Sequence, residues 1–81
     1  MNYEFQPKGV CARAITFDLD NDNVLHNVHF QGGCDGNLKA ICKLIEGMRA
    51  EKVIELLEGN TCGRKNTSCA DQLTKALKER I

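Results

Sequence analysis

The chain has 81 residues, with 11 Lys and Arg balanced by 11 Asp and Glu, no Trp, one Tyr and three Phe. A neutral chain lacks the clustered cationic face that phosphate backbones need, and so few aromatics offer no stacking platform for single strands, so nucleic acid is excluded as a main ligand. No apolar run approaches membrane-spanning length.

One domain over 1–81 is expected. At this length a domain buries only about 60% of the surface that its unfolded chain exposes. A metal, a disulfide or a partner subunit is therefore expected to help hold it. Met1 to Lys8 is polar and unlike a signal peptide, so the chain is expected in the cytoplasm. In that compartment five cysteines point to thiols, metal ligands or redox chemistry before a disulfide framework.

In chain order, Met1 to Gly9 reads as a lead-in that can pair as an edge strand. Val10 to Leu19 has strand alternation, with Cys11, Ile15, Phe17 and Leu19 on one parity and Arg13 as the exception. Asp20-Asn21-Asp22-Asn23 is a turn, because Asn and Asp tolerate left-handed backbone. Val24 to Gln31 forms a second strand, with Val24, Val28 and Phe30 on one face. After Gly36 the period becomes helical. Leu38, Ile41, Cys42 and Ile45 make one apolar stripe, and after Gly47 a second helix carries Ala50, Val53, Ile54 and Leu57. Gly59 ends that helix. Ser68 caps the last one, with Asp71 as the reciprocating acid of a capping box, and Ala70, Leu73, Ala76 and Leu77 form its buried side. The fold class is α+β, an antiparallel β-hairpin or small sheet packed against about three short helices.

With Leu19 and Val24 flanking an even-numbered turn, Phe17 faces His26, Ile15 faces Val28, Arg13 faces Phe30 and Cys11 faces Gly32. A three-residue loop would shift this register. Cys11 then lies beside the Gly32-Gly33-Cys34 exit of the hairpin. Cys62 and Cys69 bracket a loop long enough to fold back on itself. Cys69, in the first turn of a helix, has its thiolate favoured by unpaired N–H groups and the helix dipole, and Cys34 precedes a helix in the same way, capped by Asp35 or Asn37. Arg64 and Lys65 would favour thiolates further. Four thiols on mostly irregular backbone are what a tetrahedral site asks for, with Zn–S distances of about 2.3 Å.

The spacing alone is a weak signal, since no C-x-x-C is present. The competing reading is that small domains bury thiols as small apolar groups, as Cys42 does on its stripe. His26 is roughly 20 Å along an extended strand from Gly32, and His29 falls on the solvent parity, so both read as ordinary strand histidines. Gly32, Gly33 and Gly36, with Arg64 and Lys65 as cations, make a weaker anion-binding candidate, for which a plain tight corner is the competing reading.

Thr67 to Leu73 reads T-S-C-A-D-Q-L, which resembles the motif that gives the TSCPD domain its name. Gly32 to Leu38 (G-G-C-D-G-N-L), Leu44 to Met48 (L-I-E-G-M) and Cys62-Gly63 are also similar to that family. The likeness runs from Gly9 onward and is to its short stand-alone branch. The family's longer relatives form the C-terminal part of adenosylcobalamin-dependent ribonucleotide reductases. The resemblance implies that Cys11, Cys34, Cys62 and Cys69 are the signature thiols and Cys42 is incidental. It implies a non-catalytic accessory role, because 81 residues leave no room for a reductase barrel. Ala70 stands where the motif has Pro, and either residue suits a first helical turn. A fainter topological likeness to iron–sulfur scaffold proteins rests on Gly33-Cys34 alone.

Three functions follow as expectations. The first is a metal module holding zinc, or in second place an iron–sulfur cluster, through the four thiols. The second is a thiol–disulfide relay using Cys62 with Cys69, or Cys11 with Cys34, and serving a reductase partner. The third is a structural domain that forms a homodimer through its sheet edge or helices.

Overall fold

A computed structural model of the chain describes residues 2–33, 35–61, 63 and 66–81. The order is β1 (Asn2–Phe5), β2 (Ala12–Leu19), β3 (Leu25–Gly32), α1 (Asp35–Ile45), α2 (Ala50–Leu57) and α3 (Cys69–Lys78). The lead-in does pair: β1 runs antiparallel to β2, with Tyr3 opposite Phe17 and Phe5 opposite Ile15, and the sheet order is β1-β2-β3. Tyr3 is held from two sides, its ring 5.6 Å from that of Phe17 and the Arg80 guanidinium 4.6 Å above it. These contacts tie the first strand to the segment after α3.

The core is where the α+β reading places it. Ile15, Phe17, Leu25, Val53, Leu73 and Leu77 are fully buried, each worth about 1.5–3 kcal/mol of transfer free energy. Helix α1 buries Leu38 and Ile45 and packs Ile41 and Cys42 against the same cluster. Helix α2 buries Ala50 and Val53, and α3 is buried on most of its circumference.

The hairpin register differs from the expected one. Leu19 pairs with Leu25, Asp18 with His26, Thr16 with His29 and Ile15 with Phe30, where Phe17–His26, Ile15–Val28 and Arg13–Phe30 were expected. Two local events produce the difference. The loop from Asp20 to Val24 has an odd length, with Asn23 at φ 60°, and Asp20 Oδ1 accepts from the N–H groups of Asp22 and Val24. The register then slips again between Thr16 and Asp18, where Asn27 opposite them takes φ 56° as the extra residue of a bulge. The bulge changes parity, so the buried set of β3 is Leu25, Val28 and Phe30, and Val24 is only half-buried. A second slip between Ala12 and Ala14 makes Arg13 the extra residue of β2, which accounts for its break in the alternation.

The segment between α1 and α2 also belongs to the sheet region. Val24 and Arg49 form an isolated bridge. The Leu25 N–H donates to Met48 O at 2.8 Å, the Gly47 N–H to Leu25 O at 2.8 Å, and the Ala50 N–H to Asn23 O at 2.8 Å. Gly47 allows this turn with φ +81°. Among the described residues no helix is long and apolar enough to cross a membrane.

Candidate functional site

Of the four signature cysteines, Cys34 and Cys62 lie outside the described residues, as do Arg64 and Lys65. Cys11 and Cys69 are described, and with Cys42 they are present as thiols rather than in disulfides. Cys11 is exposed just before β2, and Cys69 is half-buried at the first position of α3. Among the described residues no group of three or more His, Cys, Asp or Glu side chains is placed to hold a metal.

The surroundings of the cysteines come together more closely than their spacing in sequence suggests. At the exit of the hairpin, Gly32 pairs with Ala12, and a Cβ added to Gly32 would lie 3.5 Å from the Cys11 carbonyl oxygen. A Cβ added to Gly33 would lie 3.4 Å from the Ala12 nitrogen and 2.8 Å from Leu38 Cδ1. Gly33 has φ +83°, so both conformation and space require glycine there. The residues flanking Cys11 and Cys34 therefore touch, although the pairing is one residue removed from the expected Cys11–Gly32.

Leu38 continues the connection. It lines a cavity of about 170 Å³ together with Asn37, Asn60, Thr61, Ser68 and Cys69. Thr61 precedes Cys62, so the flanks of the last two cysteines share a wall of the cavity. The chain before Cys11 closes the other side of α3: Gly9 lies beside Thr67, and the Lys8 N–H donates to Gln72 Oε1 at 3.1 Å.

The loop from Asn60 to Ser68 is pinned at its ends. Ser68 Oγ donates to Asn60 O at 2.6 Å and accepts from Asn60 Nδ2 at 3.2 Å and from the Asp71 N–H at 3.1 Å. Ser68 is thus the expected helix cap, with φ −151°. Asp71 departs from expectation. Its carboxylate does not return to the cap. It accepts from Thr67 Oγ1 at 2.6 Å and from the Gly59 N–H at 2.7 Å. These two donors, Thr67 first, hold its carboxyl below the ordinary carboxylate value. Gln72 Nε2 donates to Thr67 Oγ1 at 3.0 Å and Thr74 Oγ1 to Asp71 O at 2.6 Å. No buried side-chain N or O among the described residues lacks a partner.

The sequence reading missed this role of Asp71. The signal available was the Thr67/Asp71 pair, four residues apart with Gly59 ending the previous helix. The other cysteine behaves as expected. Cys42 is half-buried on the α1 stripe, and burial pushes its thiol pKa up, which keeps it neutral and makes it a poor metal donor.

His26 does more than fill a strand. His26 Nδ1 lies 2.7 Å from Glu46 Oε2 and Nε2 lies 3.2 Å from Asp20 Oδ2. Glu46, then Asp20, raises its pKa above the ordinary value. Glu46 also accepts from the Asn27 N–H at 2.8 Å and Asp18 from Asn27 Nδ2 at 2.9 Å. This exposed clasp joins the hairpin turn to the end of α1.

Comparison with curated proteins and with solved structures finds no match. The TSCPD domain model matches residues 1–81, in agreement with the motifs around Gly33 and Thr67. The chain belongs to the TSCPD domain family.

Proposed function

We propose that this chain is a cysteine-cluster module holding one metal centre through the thiolates of Cys11, Cys34, Cys62 and Cys69. Zinc is the first choice and an iron–sulfur cluster the second. The observation that supports the reading is the meeting of the segments that flank all four cysteines. Ala12 abuts Gly33, Gly33 abuts Leu38, and Leu38 shares a cavity with Thr61 and Cys69. The donor chemistry fits, since four soft thiolates from strand end, corner and loop suit a tetrahedral ion. A bound ion would act as a structural staple, adding binding free energy to a small core.

The protein's own residues prepare the arrangement. Ser68 and Asn60 close the neck of the loop that carries Cys62, and Asp71 fixes that neck to the end of α2 through Gly59. Cys69 then enters α3 from a capped, rigid start. The module would work in the cytoplasm and, by its likeness to the C-terminal part of longer reductases, would serve ribonucleotide reductase as an accessory without catalysis of its own, as a monomer or homodimer.

Metal analysis of protein purified without chelator tests this, with about one zinc per chain expected. Cys69→Ser is expected to abolish metal retention, whereas Cys42→Ser retains it. Metal-free protein that reversibly loses two thiols on oxidation would replace this reading with the Cys62–Cys69 or Cys11–Cys34 relay. A brown chromophore would select the cluster over zinc.

A further inference from the structure

A second, larger cavity of about 320 Å³ opens between β3 and α1. This volume is at the lower end of the about 300–1,000 Å³ typical of small-molecule sites. Its floor is apolar, formed by Val28, Phe30 and Leu38 with the half-buried Cys42 beside them. Its rim is cationic. Lys39 and Lys43 stand one helical turn apart on the same face of α1, and exposed His29 faces them from β3. No Asp or Glu lines the groove among the described residues, although the whole chain has zero formal net charge. Lys43 forms no ion pair among the described residues. The Gly32-Gly33 corner also lines it, and there Leu38 fills the space that a Cβ on Gly33 would take.

We propose that this groove binds a small amphipathic anion, its apolar body on Phe30, Leu38 and Cys42 and its carboxylate or phosphate head at Lys43. The combination follows from the chemistry of the walls. An apolar floor without charges favours a hydrocarbon or aromatic body. The Lys43 ammonium at one edge favours an anionic head, bonded by a charge-assisted hydrogen bond. The raised pKa of Cys42 fits this surrounding, since a poorly hydrated wall disfavours a thiolate. The groove shares Gly33 and Leu38 with the surroundings of the proposed metal centre, but Cys42 and both lysines lie outside the four-thiol set, so ligand binding and metal retention can be read separately. It keeps Gly32 and Gly33 of the expected anion site at its wall and takes its cation from α1, while Arg64 and Lys65 lie outside the described residues.

Backbone amide shifts on titration with hexanoate, phenyl phosphate, hexanol and inorganic phosphate test the proposal. Saturable shifts confined to residues 28–33 and 38–43 are expected with hexanoate or phenyl phosphate. Hexanol should bind about tenfold more weakly, the loss of one charge-assisted contact. Inorganic phosphate should give no saturable shift. Lys43→Gln, at an exposed helix position, should bring the anions toward the affinity of hexanol. The proposal is overturned by dispersed or absent shifts with every probe, by hexanol equal to hexanoate, by phosphate equal to phenyl phosphate, or by Lys43→Gln without effect.

Discussion

The polar network at the start of α3 and the clasp at the hairpin turn use similar groups in opposite surroundings. Asp71 is 6% exposed and accepts from Thr67 and from the backbone of Gly59. His26, Asp20 and Glu46 make comparable contacts with side chains that are 38%, 44% and 48% exposed. At the turn, water competes for every donor and salt screens the charges, so each contact is worth little on its own. Beneath α3 the Thr67 hydroxyl is buried, so deleting Asp71 costs the desolvation of that donor, whereas the Gly59 N–H lies at an exposed turn where water can replace the carboxylate. The difference locates the stability of the candidate thiol site in Asp71 rather than in the more conspicuous histidine cluster.

Asp71→Ala gives the largest expected effect. It strands the buried Thr67 hydroxyl and leaves the exposed Gly59 N–H to water, and should lower unfolding free energy by up to about 3 kcal/mol, read from urea denaturation. The pH dependence has a defined sign. The Asp71 carboxyl is held below its ordinary value, so its contribution is fully present above the unfolded-state pKa and is lost as pH falls through the folded one. The variant should therefore show a flatter acid limb than the parent protein.

Gly33→Ala comes next. Its φ of +83° and the Leu38 contact predict a loss of about 1–3 kcal/mol. A neutral result in the same denaturation assay would remove the close approach between hairpin exit and α1. The smallest effect belongs to His26→Gln. The histidine pKa is raised by Glu46 and Asp20, so its contribution is present below the unfolded-state value of 6.5 and disappears as pH rises through the folded value. The stability difference between parent and variant should be small, larger near about pH 5.5 than above about pH 8. A difference that grew toward alkaline pH would reverse the comparison of the two clusters.

The elements themselves were legible in the sequence because periodicity reports burial directly. The Leu38 and Val53 stripes, the Ser68 cap and the Gly59 stop all follow from local chemistry. What escaped depends on backbone states that alternation does not encode. Asn23 and Asn27 both adopt positive φ, and Asn tolerates this without requiring it, so an odd loop and a bulge could not be distinguished from regular pairing. The role of Asp71 escaped for another reason. Its partner is the N–H of Gly59, which only tertiary packing brings within 2.7 Å. Local rules name the nearest donor, and here a distant one is used. For the thiol site, the sequence indicated which cysteines differ from Cys42 and that the start of β2 lies beside the Gly32-Gly33 corner, while the contact of Gly33 with Leu38 emerged only in the fold.

Arg49, the residue before α2, provides no side-chain cap, yet the first N–H of that helix is satisfied by the carbonyl of Asn23 in the hairpin turn. The beginning of one layer is thus completed by the tip of the other. Lengthening the turn would uncap a helix as well as misalign two strands, so the amides of Leu25, Gly47 and Ala50 should exchange with solvent together, in a single opening event.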